Sequence, residues 1–328
     1  MHHGTVSADI AAGLLALKSR IEEAEIVPSV LDESLNIATW NIREFGKVHR
    51  TEPAVHYIAE IIGQFDLVAI VELRNNLEDL GRVMKYLGAS WRVVYSDWSD
   101  DSGGNDERTA FLFDRRAVIH TGLAAEVDAP RVKQGAEYVT TGSFWRAPYL
   151  CSFRAGNFDF LALAMHARWG DSIEARRGEL ARISNWIKGR FASQFVEDHD
   201  LIVFGDFNTP SLDDPLFAAL ADCGLKIPQP LVNLTVGKRT VKGSNLGNDA
   251  RYDQILHLPT VPENFANAGG AVDFFADGAM IEPLFPEKGY TREKFSFQIS
   301  DHFPIWLHLK TNIDTYRLNQ IIQSAATD

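Results

Sequence analysis

The sequence predicts a mixed α/β fold in which two β-sheets pack face to face and helices cover their outer surfaces. Apolar runs with strand character alternate with runs of helical periodicity along most of the 328 residues. A hydrophobic content of 45% is enough for a large core, and no long linker interrupts the chain. Polar and charged side chains recur where strand-like runs begin or end.

A helix is predicted near the N-terminus, with Ser7 as its N-cap. Its apolar positions recur at helical spacing and are Ile10, Leu14, Leu17 and Ile21. We expect this helix to pack on the core, as an extension formed by residues 1–34. The main domain is predicted over residues 35–310. Residues 311–328 follow as a helix or tail, with a short amphipathic pattern from Tyr316 to Ala326.

Helices and strands alternate within the main domain. Helices are predicted from Pro53 to Gly63, from Leu77 to Leu87 and from Ile173 to Phe191. Strands are predicted at Arg92 to Tyr95, Thr109 to Phe113, Tyr149 to Phe153 and Phe158 to Ala164. Pro304 favours a strand start or a sheet edge for the apolar run that follows it.

One motif places an acid and an amide at the end of an apolar run. The run Leu201 to Phe204 predicts a short buried strand. Gly205 is expected to break this strand, so that Asp206 and Asn208 emerge on a loop. Because these two residues are two positions apart, their side chains can face one pocket.

A second motif, Asp301 and His302, precedes the strand-like run Phe303 to Leu307. Hard oxygen ligands suit Mg²⁺ or Mn²⁺, and a neighbouring histidine can take a proton from water. A capped turn at the end of a core strand explains either motif alone equally well. The two motifs together favour metal-assisted phosphoester chemistry.

Four further runs carry reactive groups at strand ends. An alternating run places Asn41 and Arg43 just before a glycine turn. Asp253 lies where another strand-like run begins. His166 ends a long apolar run, as Glu72 ends another. An ionised glutamate in this position is costly unless it is paired or bound to metal.

Taken in order, these motifs resemble those of the endonuclease/exonuclease/phosphatase superfamily, most of all its deoxyribonuclease I-like nucleases. The resemblance extends from about Leu35 to about Leu309. It implies a four-layer α-β-β-α sandwich with the active site at one end of the two sheets. It also implies a DNA endonuclease of low sequence specificity that leaves 5′-phosphate and 3′-hydroxyl ends.

The resemblance assigns metal binding to Glu72, Asn41 and Asp301, and catalysis to His302, Asp253, His166, Asp206 and Asn208. His302, oriented by Asp253, would activate the attacking water. His166 would contact the scissile phosphate and donate a proton, while Asp206 and Asn208 would position the phosphate. The implied cofactor is Mg²⁺ or Mn²⁺, and structural Ca²⁺ is not implied because the family's acidic, threonine-rich calcium stretch is not preserved.

Arginines occur where the family has arginine near its DNA, at Arg43, Arg74 and Arg146. Salt bridges to acids such as Glu44 or Asp97 are the alternative role for these arginines. Asp97 also falls roughly where the family has the acid that orients the first histidine. Trp169, three residues after His166, is well placed to line the site, although packing is the preferred role for its ring.

A runner-up function is a phosphoesterase of the same superfamily acting on an inositol phosphate or a sphingomyelin head group. An exposed apolar hairpin or a closed basic pocket would favour it, and the sequence shows neither. A binding module that has lost catalysis is disfavoured, because every expected catalytic position is occupied.

The formal net charge of -12 argues against a broad basic surface for nucleic acid. We therefore expect modest, salt-sensitive affinity for DNA, and RNA stays an open alternative. Cys151 and Cys223 are expected to be free thiols rather than a disulfide. A basic segment from Thr235 to Asn245 could hold phosphates, or it could be a solvated loop.

No apolar run is long enough to span a membrane, and no protein partner is evident from the sequence. The apolar stretch Ile10 to Leu17 follows an acid rather than a basic segment, and it has no clear cleavage site. We therefore expect a cytoplasmic location by default, or secretion if a signal peptide has been removed.

Overall fold

A computed structural model describes residues 2–99, 105–140, 142–170, 172–258, 262–265 and 267–325. Its strands are β1 Ser34–Phe45, β2 Leu67–Arg74, β3 Trp91–Tyr95, β4 Glu107–Asp114, β5 Ile119–Glu126, β6 Arg131–Gln134, β7 Glu137–Thr140, β8 Tyr149–Ala155, β9 Phe158–His166, β10 Leu201–Asp206, β11 Thr235–Val236, β12 Arg239–Thr240, β13 Asp253–His257, β14 Ala268–Ala271 and β15 Ile305–Lys310. Its α-helices are α1 Ala8–Glu22, α2 Glu52–Ile62, α3 Glu78–Leu87, α4 Ile173–Phe191, α5 Pro215–Ala221, α6 Gln229–Val232, α7 Ile281–Leu284, α8 Arg292–Gln298 and α9 Asp314–Ala325.

Two large mixed sheets form the centre of the molecule. The first has six strands in the order β14-β15-β1-β2-β4-β3, and the second has five in the order β13-β10-β9-β8-β5. Each sheet contains one parallel pair, β1 with β2 and β9 with β10, among otherwise antiparallel pairs. The prediction of two mixed sheets is confirmed.

The largest hydrophobic cluster lies between the sheets and extends to α1, α2 and α3 on the outer face of the first sheet. A second cluster joins the outer face of the second sheet to α4 and α5. Strands of the two sheets face each other across the interior, as β1 and β10 do. These four layers are the α-β-β-α sandwich that the family resemblance implied.

The predicted elements correspond closely to the observed ones. Ser7 caps α1 by accepting a hydrogen bond from the backbone N–H of Ile10, and the apolar face of α1 packs on the main core. The C-terminal pattern forms α9, which is exposed, and Ala326 lies outside the described residues. Pro304 precedes a strand start, but β15 is an interior strand and not an edge. The domain boundaries stay a prediction.

The parallel pairs explain why reactive side chains meet at one end of the sandwich. Asp206 at the end of β10 is level with His166 at the end of β9. On its other side Asp206 is level with Asp253, the first residue of the antiparallel strand β13. Polar residues at strand ends therefore converge without any long loop having to carry them.

Gly205 has a different role from the one predicted. It does not break β10, because Asp206 is still paired as the last residue of this strand. Gly205 has a φ of +137°, and a Cβ added there would lie 1.8 Å from the carbonyl oxygen of Met165. The glycine therefore permits close approach of β9 and holds Asp206 on a strand end instead of a loop.

Both cysteines are free thiols, as predicted, with Cys151 buried in the core. In the basic segment, which was expected either to hold phosphates or to be a solvated loop, Arg239 pairs with Asp273 at 2.6 Å. Among the residues that the structure describes, no helix combines the length and the apolar character that crossing a membrane requires.

Candidate active site

His302 and Asp253 form a hydrogen-bonded pair at the end of the two sheets. His302 Nδ1 lies 2.7 Å from Asp253 Oδ2, and the Ser244 hydroxyl donates to the same oxygen at 2.6 Å. Burial opposes a charged imidazole, but the carboxylate of Asp253 outweighs it and raises the pKa of His302 to about 10. The pairing leaves Nε2 as the ring nitrogen that faces the other site residues.

His166 has its own carboxylate partner, Glu107, at the start of β4. His166 Nδ1 lies 2.8 Å from Glu107 Oε2, and both side chains are buried. Burial and the neighbouring Arg146 disfavour a charged imidazole, but Glu107 outweighs them and raises the pKa of His166. Asp97 was the predicted partner, and this prediction is wrong, because Asp97 is exposed and pairs with Arg108 at 3.2 Å.

Asp206 lies between the two histidines. Its Oδ2 is 3.8 Å from His166 Nε2 and 4.0 Å from His302 Nε2. Its other oxygen accepts a hydrogen bond from the backbone N–H of Asn208 at 2.9 Å. The Asn208 side chain donates to the carbonyl oxygen of Ala167 at 2.7 Å, which ties the loop after β10 to the end of β9.

Asn41 and Glu72 meet on the facing sheet. Asn41 Nδ2 donates to Glu72 Oε1 at 2.9 Å and to Asp206 Oδ2 at 3.1 Å, so it joins the two sheets. Glu72 has a φ of +63°, and its second oxygen accepts from the backbone N–H of Glu44. A non-glycine residue in this region is strained, and such strain is concentrated at functional sites. The Asp301 side chain is 40% exposed at the rim.

The three predicted arginines all reach the cleft, but none is free of acids. Arg146 donates to Glu107 at 2.9 Å, and Arg74 lies 3.4 Å from both Glu107 and Glu44. Arg43 pairs with Asp301 at 3.6 Å, and not with either predicted acid. The salt-bridge alternative is therefore confirmed for Arg74 with Glu44, and the pairing with Asp97 is wrong.

Trp169 and Tyr252 form one wall of the cleft. Trp169 is 61% exposed, and its ring meets Tyr252 edge to face with 5.6 Å between the centroids. The Trp169 ring therefore packs against Tyr252, as preferred, and keeps a large exposed surface. The cleft has a volume of about 410 Å³, and its lining includes both histidines, Asp206, Glu72 and the three arginines.

Comparison with known proteins agrees with this geometry. No family model matches the chain. A protein named "Deoxyribonuclease" from Thioalkalivibrio sp. (strain K90mix) is 29% identical over 300 residues, which cover 88% of this chain and 74% of that protein. An endonuclease/exonuclease/phosphatase family protein from Leptotrichia buccalis superposes with a TM-score of 0.53 at 16% identity, covering 83% of this chain and 98% of that structure.

The chain has the endonuclease/exonuclease/phosphatase fold. A second solved structure with this fold is the mannosyl-6-phosphatase Bt3783 of Bacteroides thetaiotaomicron, with a TM-score of 0.51 at 16% identity over 83% of this chain and 98% of that structure. The resemblance recognised in the sequence motifs is thus matched by the three-dimensional fold.

The fold implies a divalent metal, and the side chains of this chain fit one. Among the described residues, Asn41 Oδ1 is a buried oxygen without a hydrogen-bond partner, while Nδ2 of the same amide donates to the carboxylates of Glu72 and Asp206. An orphaned oxygen among carboxylates suits a hard cation. A second cluster, Asp206, Asp253 and His302, brings its ligand atoms within 4.8 Å of one another. We prefer the first set, because Asp253 Oδ2 and His302 Nδ1 already bond each other.

Two residues of this site were missed in the sequence. Glu107 is an acid at the start of a strand, which is the same signal that identified Asp253, but the strand was predicted to begin only at Thr109. Ser244 lies in the segment interpreted as basic and turn-rich, where the lysines and arginine dominated the pattern.

Proposed function

We propose that this protein is a divalent-metal-dependent phosphodiesterase, and that its substrate is DNA, which it cuts as an endonuclease of low sequence specificity. One observation carries the proposal. Two histidines, each bonded through Nδ1 to a buried carboxylate, turn their Nε2 atoms toward the same oxygen of Asp206, at 3.8 and 4.0 Å. Hydrolysis of a phosphodiester needs a base for water and an acid for the leaving oxygen, and this pair offers both.

In this proposal His302 takes the proton from the attacking water. Asp253 fixes the tautomer of His302 and stabilises the imidazolium that forms, as a buried carboxylate does for a general base. Asp206 and Asp253 hold a proton on His302 in the metal-free protein, so positive charge near Asp206 would favour the neutral, basic ring. The neutral ring then keeps its proton on Nδ1, which Asp253 holds, and Nε2 is available as the base.

His166 serves as the proton donor for the leaving oxygen. The pKa of His166 is raised by Glu107, so the ring carries a proton at neutral pH more readily than a free histidine does. Glu72, Asn41 and Asp301 are the residues we assign to the metal, and Asp206 and Asn208 position the phosphate. A bound divalent cation would supply positive charge that stabilises the charge developing on the phosphate.

DNA is preferred as the substrate for two reasons. The relative with 29% identity is named a deoxyribonuclease. The cleft is also open, and the exposed ring of Trp169 offers a surface on which a sugar or a base can rest. Products with 5′-phosphate and 3′-hydroxyl ends follow from the family resemblance.

A phosphoesterase acting on a small molecule or a lipid head group is the second candidate, because the structure contains an exposed hairpin. Among the residues that the structure describes, strands β6 and β7 pair only with each other, and Tyr138 is 71% exposed. No apolar hairpin was predicted from the sequence. The face with Tyr138 also carries Arg131 and Lys133, so the hairpin is mixed in character and not apolar.

Nicking of supercoiled plasmid tests the proposal. We expect wild-type protein to convert supercoiled plasmid to open circles with Mg²⁺ or Mn²⁺ and not with EDTA. The variant His302→Ala should lose at least about 100-fold in rate, because general base catalysis contributes factors of this size. His120→Ala is the matched control. Within the part of the chain that the structure describes, the His120 side chain makes its hydrogen bond to the carbonyl oxygen of Leu123, and it does not line the cleft.

Substrate choice decides between the two candidates. Bis(p-nitrophenyl) phosphate is a diester and p-nitrophenyl phosphate is a monoester, so their rates report phosphodiesterase and phosphatase activity separately. Plasmid left intact by both metals, together with hydrolysis of the monoester or of a sphingomyelin vesicle, would contradict the DNA proposal and favour the second candidate.

A further inference from the structure

A second cavity adjoins the active-site cleft and is lined by His302 but not by His166. It has a volume of about 470 Å³ and shares Tyr252, Asp301, His302 and Arg43 with the cleft. Its outer wall is formed by α8 and by the loop before β13. A substrate bound at Asp206 therefore has a continuous path past His302 into this second space.

Arg292 is the cation of this cavity that has no acidic partner. Among the residues that the structure describes, no carboxylate lies within ion-pair distance of its guanidinium, which is instead 5.5 Å from the ring centroid of Phe275. Arg74 and Arg146 in the main cleft, by contrast, both pair with Glu107. Arg292 therefore keeps its full charge for an external anion.

Arg43 places a second guanidinium on the wall between the two spaces. Its Cζ lies 3.8 Å from the ring centroid of Phe297, and it donates to the hydroxyl of Ser296 on α8. These contacts fix the plane of the guanidinium. Its ion pair with Asp301 at 3.6 Å is long and half exposed, so hydrogen-bonding capacity remains for a ligand.

The wall opposite α8 is held in place before any ligand binds. The backbone N–H of Leu246 donates to the carbonyl oxygen of Asp301, and Asn245 Oδ1 accepts from the backbone N–H groups of Asp249 and Ala250. A preformed wall lowers the ordering cost of binding. The cavity is therefore suited to a repeating polymer unit that enters beside the reacting group.

We propose that this cavity is a subsite for the phosphate next to the scissile one, with Arg292 and Arg43 as its ligands. The inference rests on the proposed function and adds to it, because only a substrate with at least two consecutive phosphodiesters uses both spaces. Phosphate contacts of this kind fix the register of a nucleic acid and carry no base specificity. Glu293, which also lines the cavity, weakens the subsite through its negative charge.

Binding of a fluorescent DNA duplex to the His302→Ala protein tests the subsite apart from catalysis. Dissociation constants are measured across a series of KCl concentrations at one fixed Mg²⁺ concentration. Each phosphate contact contributes about 0.9 to the slope of log K against log salt for duplex DNA. We expect Arg292→Gln to reduce this slope by about 0.9 and to weaken binding roughly 3- to 10-fold.

Three further variants make the result specific. Arg292→Lys keeps the charge and should restore the slope, and Glu293→Gln should tighten binding. Arg115→Gln removes the same charge from an exposed residue that follows the far end of β4, so it reports the effect of net charge alone. Equal slopes for Arg292→Gln and Arg115→Gln would overturn the subsite.

Hydrolysis separates failure of the subsite from failure of the proposed function. With the wild-type catalytic residues, Arg292→Gln should lower kcat/KM for the duplex at least about five times more than kcat/KM for bis(p-nitrophenyl) phosphate, which has a single phosphate. Equal losses on both substrates would overturn the subsite and leave the phosphodiesterase standing. A wild-type protein that neither nicks nor binds DNA would overturn the DNA proposal and the subsite with it.

Discussion

Glu107 Oε2 lies 2.8 Å from His166 Nδ1, and the Glu107 carboxylate also pairs with two arginines, with Arg74 through Oε1 and with Arg146 through both oxygens. This carboxylate therefore holds one histidine and both Arg74 and Arg146 in the cleft. Its removal should affect chemistry more than folding of the distant core, because the groups that it orients all face the site.

The first prediction is that Glu107→Gln lowers kcat for the diester about 100-fold. Glutamine keeps the shape but not the charge, so the pKa of His166 falls and the ring is less often protonated as a donor. Steady-state kinetics on bis(p-nitrophenyl) phosphate measure the effect. Asp97→Asn is the matched control and should stay within about twofold of wild type, since Asp97 bonds Arg108 at the surface. Equal losses in both variants would contradict the assignment of Glu107.

The second prediction concerns stability in acid. Burial alone would raise the pKa of Glu107, but His166, Arg146 and Arg74 lower it to about 2, below its ordinary value of 4.5. Because the folded pKa is depressed, the stabilisation is present above pH 4.5 and is lost as the pH falls toward 2. Its size is on the order of 3 kcal/mol.

Urea unfolding of wild type and Glu107→Gln at several values of pH between 7 and 2.5 measures this linkage. The wild type should lose more unfolding free energy than the variant over the range below pH 4.5. Parallel curves for the two proteins would show that Glu107 is not the group responsible.

Much of the fold follows from sequence pattern alone. Periodicity identified α4 with its observed bounds, and the strands β3, β4, β8 and β9 differ from prediction by one to two residues at their ends. Local pattern is informative here because each element buries one continuous apolar surface. The family resemblance added the four-layer order and the position of the site at one end of the two sheets, since periodicity cannot tell which strands pair.

A local signal in the sequence located the site residues, but it did not show which of their side chains pair with each other. Asp253 and His302 were joined in the sequence by resemblance, and the structure places them 2.7 Å apart. Asp97 was predicted in place of Glu107. Glu107 is the first residue of β4, opposite Arg74 of β2, and it reaches His166 of the facing sheet, whereas Asp97 lies beyond the end of β3. The register of β2 and β4 depends on tertiary packing and leaves no mark in the neighbouring sequence.

The third prediction concerns the glycine beside Asp206. Gly205→Ala should destabilise the protein by at least about 2 kcal/mol and abolish nicking, because the added Cβ meets the Met165 carbonyl at 1.8 Å and φ is +137°. Thermal unfolding measures the loss of stability. Gly178→Ala is the control within α4, where an added Cβ meets nothing within 4 Å, and it should stabilise by about 0.5–1 kcal/mol. A stable, active Gly205→Ala protein would contradict the close approach of β9 and β10.

The last prediction distinguishes the two sets of candidate metal ligands. If Glu72 and Asn41 hold the cation, Mg²⁺ should raise the melting temperature of wild type, with about 2.7 kcal/mol of stabilisation at a hundredfold excess over Kd. Glu72→Gln should abolish the Mg²⁺-induced shift, because it replaces a charged oxygen ligand by a neutral amide. Asp253→Asn should retain it, since Asp253 Oδ2 is occupied by His302 and Ser244. The reverse pattern would move the cation to the cluster of Asp206, Asp253 and His302, where it would compete with the bond that orients the base.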